Sequence, residues 1–127
     1  MIKTSDARKY DQAIEQWIKL NQKQVMAARQ WSGKKWIEGH REFKVTLYYC
    51  FERSRLITKA NTLKKIDTSN RTKVALDKIA HIIGIDDMHF IEDHGSKVIA
   101  NDGQDEMIVK IETTKLKTKE QIYESIR

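Results

Sequence analysis

At 127 residues, the chain is long enough for one domain with a modest core and too short for two. Its 33% charged and 39% hydrophobic residues are typical of a folded domain and exclude a fully disordered chain. The net charge of +6 favours an anionic partner, with nucleic acid ahead of a membrane surface. The single cysteine excludes an internal disulfide and suits the reducing cytoplasm. No apolar run reaches the roughly 18 residues of a membrane span, and no signal-peptide pattern is present.

The first predicted element is a long amphipathic helix from about Ser5 to Gln30. Apolar residues recur there at helical spacing, and Ser5 or Thr4 would be its N-cap. The helix is expected to end near Trp31-Ser32-Gly33, and residues 34–41 are interpreted as a polar loop. Its apolar side would belong to the core or to a dimer surface.

The second predicted element is a strand from Phe43 to Phe51, where apolar residues alternate with a period of two. Both of its faces carry aromatic or small apolar side chains, which predicts a central position in a sheet. Residues 52–66 are rich in lysine and arginine and contain only one acidic residue before Ile66, Glu52. We interpret them as a mobile or extended basic segment.

The rest of the chain predicts a helix followed by strands. A helix from about Ser69 to Ile83 would pack its apolar residues inward and end at Gly84. A strand from Met88 to Glu92 is expected to extend through a turn at Asp93-His94-Gly95 into residues 97–100. Asn101-Asp102-Gly103 predicts a hairpin turn, and residues 107–112 the returning strand. Thr118 and Gln121 form a capping-box signature for a short last helix. The single domain, residues 1–127, should therefore be α+β, with a mixed sheet packed against two main helices.

Polar residues cluster around the second helix. Asn70, Lys73 and Asp77 lie three and four positions apart, so they share one helical face. Asp67 precedes the helix and Asp86-Asp87 follows it, and a strand pairing back near the helix start would bring Asp87 towards Asp67. Taken singly, these residues also fit an N-cap, a surface ion pair and a turn. Only their joint spacing indicates metal-assisted chemistry on a phosphodiester.

The pattern Asp67-x-Ser69-Asn70-x-x-Lys73, with Asp77, Gly84-x-Asp86-Asp87 and Lys97 after it, resembles the RusA family of Holliday-junction resolvases. A weaker similarity extends over most of the chain. The resemblance implies a RusA-like fold and a homodimeric, Mg²⁺-dependent endonuclease, with Mn²⁺ as a second usable ion. The implied substrate is branched DNA such as a four-way junction, in the recombination and repair of a phage or prophage.

The resemblance also implies residue roles. Asp67, Lys73 and Asp87 would be catalytic, and Asp67, Asp87 and Asp86 would be metal ligands. Ser69 stands where the family has its second motif aspartate, and Asp86 or Asp77 could supply the missing carboxylate. Because serine lacks the anionic oxygen that Mg²⁺ prefers, a non-catalytic DNA-binding protein on the same scaffold is the alternative hypothesis. A third is a basic regulatory protein with an acidic protein partner.

Basic side chains around the motif are expected to contact DNA phosphates by shape rather than by base sequence. The predicted DNA-binding residues are Arg53, Arg55, Lys59, Lys64, Lys65, Asn70, Arg71 and Lys97. Trp36, which lies among basic residues, is a further candidate. The four histidines show no metal-ligand spacing. Neither a membrane partner nor a small-molecule cofactor is expected.

Overall fold

The computed structural model describes residue 12, residues 15–65 and residues 69–127, but not the side chains of residues 69–71. Residues 15–20 are helical. The elements that follow are α1 (Gln22–Ile37), β1 (Phe43–Glu52), α2 (Arg53–Leu56), α3 (Ser69–Ile83), a 3₁₀ turn (Asp87–His89), β2 (Phe90–Ala100), β3 (Glu106–Thr113) and α4 (Lys119–Ser125). The mixed sheet and the helices packed on it confirm the predicted α+β class. Within the described residues, no helix combines the length and apolar character needed to cross a bilayer.

The sheet has three strands in the order β2-β1-β3. β1 is central, as predicted, with β2 parallel on one side and β3 antiparallel on the other. Its inward side chains include Phe43, Val45 and Leu47, which are all fully buried. Burying an apolar side chain of this size stabilises a fold by roughly 1.5–3 kcal/mol. The alternation read from the sequence therefore identifies the centre of the core.

The predicted hairpin between the last two strands is wrong. The chain does turn at residues 101–103, where Gly103 has a φ of 75°. However, β2 and β3 lie on opposite sides of β1, so the connection passes across the end of the central strand. There the Glu52 backbone N–H donates to Asp105 Oδ1 at 2.9 Å. A central apolar strand needs a hydrogen-bonded strand along each edge. Because the connection crosses the end of β1, β2 and β3 pair with its two edges.

The turn predicted at Asp93-His94-Gly95 is also absent, because β2 runs without interruption from Phe90 to Ala100. These three residues pair in register with β1, and Gly95 lies opposite Leu47. Met88, predicted to begin this strand, lies instead in the 3₁₀ turn. Asp93, His94 and Gly95 are residue types common in turns, but here they lie within an edge strand with polar side chains and the chain does not change direction.

The first helix differs from its prediction in its continuity and at its C-terminal end. Its predicted start at Ser5 lies outside the described residues, and its continuity is broken at Asn21, whose side-chain amide donates to the Trp17 carbonyl at 2.8 Å. α1 then continues through Trp31-Ser32-Gly33 to Ile37, so residues 34–37 are helical and not loop. Within this continuation Ser32 is buried, and its hydroxyl donates to the Ile83 carbonyl of α3 at 2.8 Å.

α3 matches its predicted bounds and closes at Gly84, which has a φ of 73°. Of the residues predicted to face inward, Ile79, Ala80 and Ile83 are buried and Leu76 is partly buried, and Ala75 is buried as well. The last turn of α3 is held by α1, since Arg29 Nε donates to the Ile82 carbonyl at 2.7 Å.

The basic segment of residues 52–66 is predicted to be mobile or extended, and the structure shows that it is not extended along its whole length. Residues 53–56 form the helical turn α2, whose start is capped by the Glu52 carboxylate accepting from the Ser54 N–H at 3.1 Å. Leu56 is buried, which anchors the turn to the core. Beyond it, a bridge between Ile57 and Leu63 closes a short loop.

Candidate nucleic-acid interface

The carboxyl ends of β1 and β2 lie at one edge of the sheet because the two strands are parallel. Tyr49 pairs with Lys97 and Glu52 with Ala100 at this edge. α3 also begins there, since Thr72 in its first turn shares a 2.6 Å hydrogen bond with the Tyr49 hydroxyl. We call this region, together with α2 and the loop of residues 57–65, the carboxyl edge. Ligands of parallel sheets characteristically bind outside such strand ends.

Exposed cations from four elements lie at or lead into the carboxyl edge. The described ones are Arg53 and Arg55 of α2, Lys59, Lys64 and Lys65 of the loop, Lys73 of α3 and Lys97 of β2. Arg55 forms an ion pair with Asp105, and its guanidinium lies 5.0 Å from the centre of the Phe51 ring. Among the described residues, Arg53, Lys59, Lys65, Lys73 and Lys97 form no ion pair. Since these five cations have no ion-pair partner in the described part of the chain, they are available to an anionic partner.

The Glu52 carboxylate lies at the base of this edge, beside Asp105. Its pKa is lowered, chiefly by hydrogen bonds from the side chain and backbone of Ser54, with further contributions from the charges of Lys64 and Arg55. The carboxylate caps α2 and shares the field of two cations, so it neutralises part of the charge of the basic segment. The cations named above as unpaired lie outside this arrangement.

The predicted catalytic residues are not all brought together. Asp67 lies outside the described residues, and Asn70 and Arg71 are placed in the first turn of α3 without described side chains. Lys73 is exposed near the start of the same helix. Asp87 follows the far end of α3, and a helix of 15 residues spans about 21 Å between its first and last residues. β2 starts at that far end, so it does not bring Asp87 to the helix start within one chain.

Acidic residues gather instead at the end of α3 opposite the carboxyl edge. Asp77, His81, Asp86 and Asp87 line an open cavity of about 390 Å³ there. Asp86 has a structural role, because its Oδ1 accepts from the Met88 N–H at 3.0 Å and caps the 3₁₀ turn. Within the described part of the chain, no group of three or more His, Cys, Asp or Glu side chains could hold a metal ion. Of the predicted ligands, Asp86 and Asp87 lie at this end of α3, and Asp67 lies outside the described residues.

Trp36 lies at this opposite end as well. The Arg41 guanidinium stacks 3.7 Å from the centre of its ring, and the His89 ring meets it edge-on at 4.9 Å. His89 also hydrogen-bonds to the Arg41 carbonyl at 2.8 Å, which closes a small cluster. These contacts give Trp36 a packing role next to Asp86, away from the carboxyl edge.

Sequence reasoning missed the contact that joins α3 to the strands at the carboxyl edge. The apolar alternation predicts only that Tyr49 lies on one face of β1, no pattern gives Thr72 a role, and Gly95 is predicted to lie in a turn. In the structure, a Cβ atom on Gly95 would lie 3.3 Å from Tyr49 Cε2 and 3.8 Å from Thr72 Oγ1. A glycine inside a strand is a recognised signal of such a close approach.

Comparison with protein-family models, curated proteins and solved structures finds no match to this chain.

Proposed function

We propose that this chain binds the phosphate backbone of DNA through the carboxyl edge, and that its target is branched DNA in the cytoplasm. The observation that carries the proposal is the set of five exposed cations without ion-pair partners among the described residues, contributed by four elements of one region. Such cations displace the counterions of DNA, which makes binding favourable and dependent on salt. The RusA resemblance supplies the preference for branched over linear DNA.

The salt dependence of binding tests the interface. Alanine at Lys59, Lys65 or Lys97 should weaken binding to a four-way junction of any base sequence. Each change should reduce the slope of log K against log salt concentration by about 0.9 per lost phosphate contact. Lys115→Ala is the matched control, because Lys115 is exposed and forms no ion pair among the described residues. It follows Thr113, the end of β3 that lies away from the carboxyl edge. An equal effect of Lys115→Ala would show that net charge, and not the carboxyl edge, determines binding.

The choice of DNA separates this proposal from an acidic protein partner. A junction and a linear duplex built from the same arm sequences are compared by fluorescence anisotropy at one salt concentration. Preference for the junction supports the branched-DNA target. Equal binding would leave a general DNA-binding protein, and no binding to either would favour the acidic partner.

A second candidate function is Mg²⁺-dependent cleavage of the junction by a two-fold dimer. In the sequence, Asp67 and Asp87 lie ten residues before and after Asp77, which is exposed on α3. If two copies pack this exposed face of α3 antiparallel, the start of each helix faces the Asp86-Asp87 pair of the other copy. Asp67 of one copy and Asp87 of the second would then be candidate ligands of one ion, with Lys73 adding a positive charge beside the phosphate.

Mixing two inactive variants tests this composite site. Asp67→Asn and Asp87→Asn should each abolish nicking of a four-way junction in Mg²⁺ or Mn²⁺ while retaining binding. Their mixture should recover nicking, because each mixed dimer contains one site with both aspartates intact. Glu120→Gln, on exposed α4, is the control and should cut normally.

The outcomes distinguish the candidate functions. Cleavage by the unmodified protein without recovery in the mixture would place the complete site within one chain. Binding without cleavage in either metal would leave the non-catalytic DNA-binding protein, with Ser69 in place of the family's acidic residue as the physical explanation.

A further inference from the structure

Tyr49 connects the centre of the sheet to the first turn of α3. Its side chain is only 5% exposed, so it does not itself present a surface to a ligand. Its hydroxyl shares a 2.6 Å hydrogen bond with Thr72 Oγ1, which is 23 positions further along the chain. The polar end of a buried aromatic side chain is thus used to hold a helix start in place.

Gly95 of β2 completes this contact. An added Cβ would meet the Tyr49 ring at 3.3 Å and the Thr72 hydroxyl at 3.8 Å, so the missing side chain allows the first turn of α3 to lie close to β2. Lys97 is the register partner of Tyr49 and lies two residues beyond Gly95. Lys73 directly follows Thr72. The contact of Tyr49, Thr72 and Gly95 therefore fixes a cation of α3 relative to a cation of β2.

We propose that Tyr49 is the positioning residue of the DNA-binding carboxyl edge, acting through Thr72 to hold Lys73 and Lys97 in the spacing that one DNA backbone requires. The inference rests on the proposed function. Cations held in place before binding lose less conformational entropy when DNA arrives, so preorganisation increases affinity. A tyrosine with a purely structural role would contribute to folding stability and leave the affinity and salt slope of the folded protein unchanged.

The experiment removes the hydroxyl pair and measures junction affinity over a range of salt concentrations. Tyr49→Phe and Thr72→Val should raise Kd by about three- to tenfold, as expected for the loss of one hydrogen bond that organises the site. They should also lower the salt slope by about 0.9, because Lys73 no longer contacts its phosphate. Thr72→Ser retains a hydroxyl and should bind like the unmodified protein.

Tyr48→Phe is the matched control. Tyr48 precedes Tyr49 on β1, points to the opposite face of the sheet, and its hydroxyl makes no hydrogen bond among the described residues. Gly95→Ala is a second route to the same result, because it retains both hydroxyls and pushes against the Tyr49 ring. If Tyr49→Phe fails to fold, Gly95→Ala alone should still raise Kd and lower the slope.

A double-mutant cycle gives the most specific readout. Lys73→Ala should cost much less affinity in the Tyr49→Phe background than in the unmodified protein, because the lysine has already lost its position. Additive effects, or a Tyr49→Phe variant that binds as tightly as Tyr48→Phe, would overturn the inference while the DNA-binding function stands. Absence of junction binding by the unmodified protein would overturn the proposed function and this inference together.

Discussion

Ser32 shows how one buried polar group can join two helices. Its side chain is 2% exposed, and its hydroxyl lies within hydrogen-bonding distance of the Ile83 carbonyl at 2.8 Å and the Arg29 carbonyl at 3.0 Å. Ile83 is the last residue of α3, where carbonyls lack partners within the helix. The hydroxyl satisfies one of them and joins α1 to α3. A serine followed by glycine, which indicated a helix end, is therefore the point where two helices meet.

Replacing Ser32 by alanine should destabilise the protein by about 1–3 kcal/mol, because a buried carbonyl loses its donor. Urea unfolding at pH 7 measures the change. Gly33→Ala is the control at the next position, where an added Cβ meets nothing within 4 Å. Within a helix this change should raise the free energy of unfolding by about 0.5–1 kcal/mol. Equal midpoints for Ser32→Ala and the unmodified protein would contradict a stabilising role for the hydroxyl.

At the scale of elements, β1 and α3 could be predicted because their apolar patterns reflect local geometry. The alternation from Phe43 to Phe51 and the spacing of Ile79 and Ile83 each match burial in the structure. Strand partners were not predictable in the same way, since a turn at residues 101–103 fits both a hairpin and a crossing over β1. At the crossing, Asp105 accepts from the Glu52 N–H, a contact between residues 53 positions apart.

The candidate interface was partly predictable for the same reason. Basic residues adjacent in sequence remain adjacent in the loop and α2, so the DNA-binding set could be proposed from composition. Lys97 joins the carboxyl edge only through the parallel pairing of β1 with β2, which no local pattern specifies. A strand pairing back near the start of α3 was the condition for Asp87 to approach Asp67, and β2 instead starts at the end of α3. Asp67 itself lies outside the described residues.

Over the whole molecule, charged side chains are arranged differently at the carboxyl edge and on the face of the sheet turned away from α3, which we call the open face. Cations at the carboxyl edge include several without ion-pair partners among the described residues, whereas several charges on the open face of the sheet are paired. On that face Lys110 contacts Glu112 at 2.6 Å, and Glu92 lies 3.9 Å from Lys117. The Thr114 hydroxyl also donates to Glu92 at 3.3 Å, which ties the segment after β3 to β2. The ion pairs of the open face contribute to stability, and the unpaired cations of the carboxyl edge remain available for binding.

This pairing predicts that stability decreases in acid. The pKa of Glu112 is lowered by the hydrogen bond and charge of Lys110. Burial raises the pKa of Glu92, but the charge of Lys117 and hydrogen bonds from His94 and Thr114 outweigh it and leave that pKa lowered as well. Both carboxylates therefore stay ionised in the fold at a pH where the unfolded chain, with an ordinary pKa of 4.5, already takes up protons. The unfolded state then binds more protons, so stability is present above that pH and is lost below it.

The urea midpoint should accordingly fall as the pH is lowered below about 4.5. Glu112→Gln should flatten part of this fall, because the glutamine does not titrate and cannot pair with Lys110 as an anion. Glu120→Gln on α4 is the control, since Glu120 forms no ion pair among the described residues and should leave the profile unchanged. Added salt should reduce the difference between Glu112→Gln and the unmodified protein at pH 7, because exposed charge pairs are screened. A Glu112→Gln profile that coincides with the unmodified one at every pH would show that the charge pairs of the open face contribute nothing to folding.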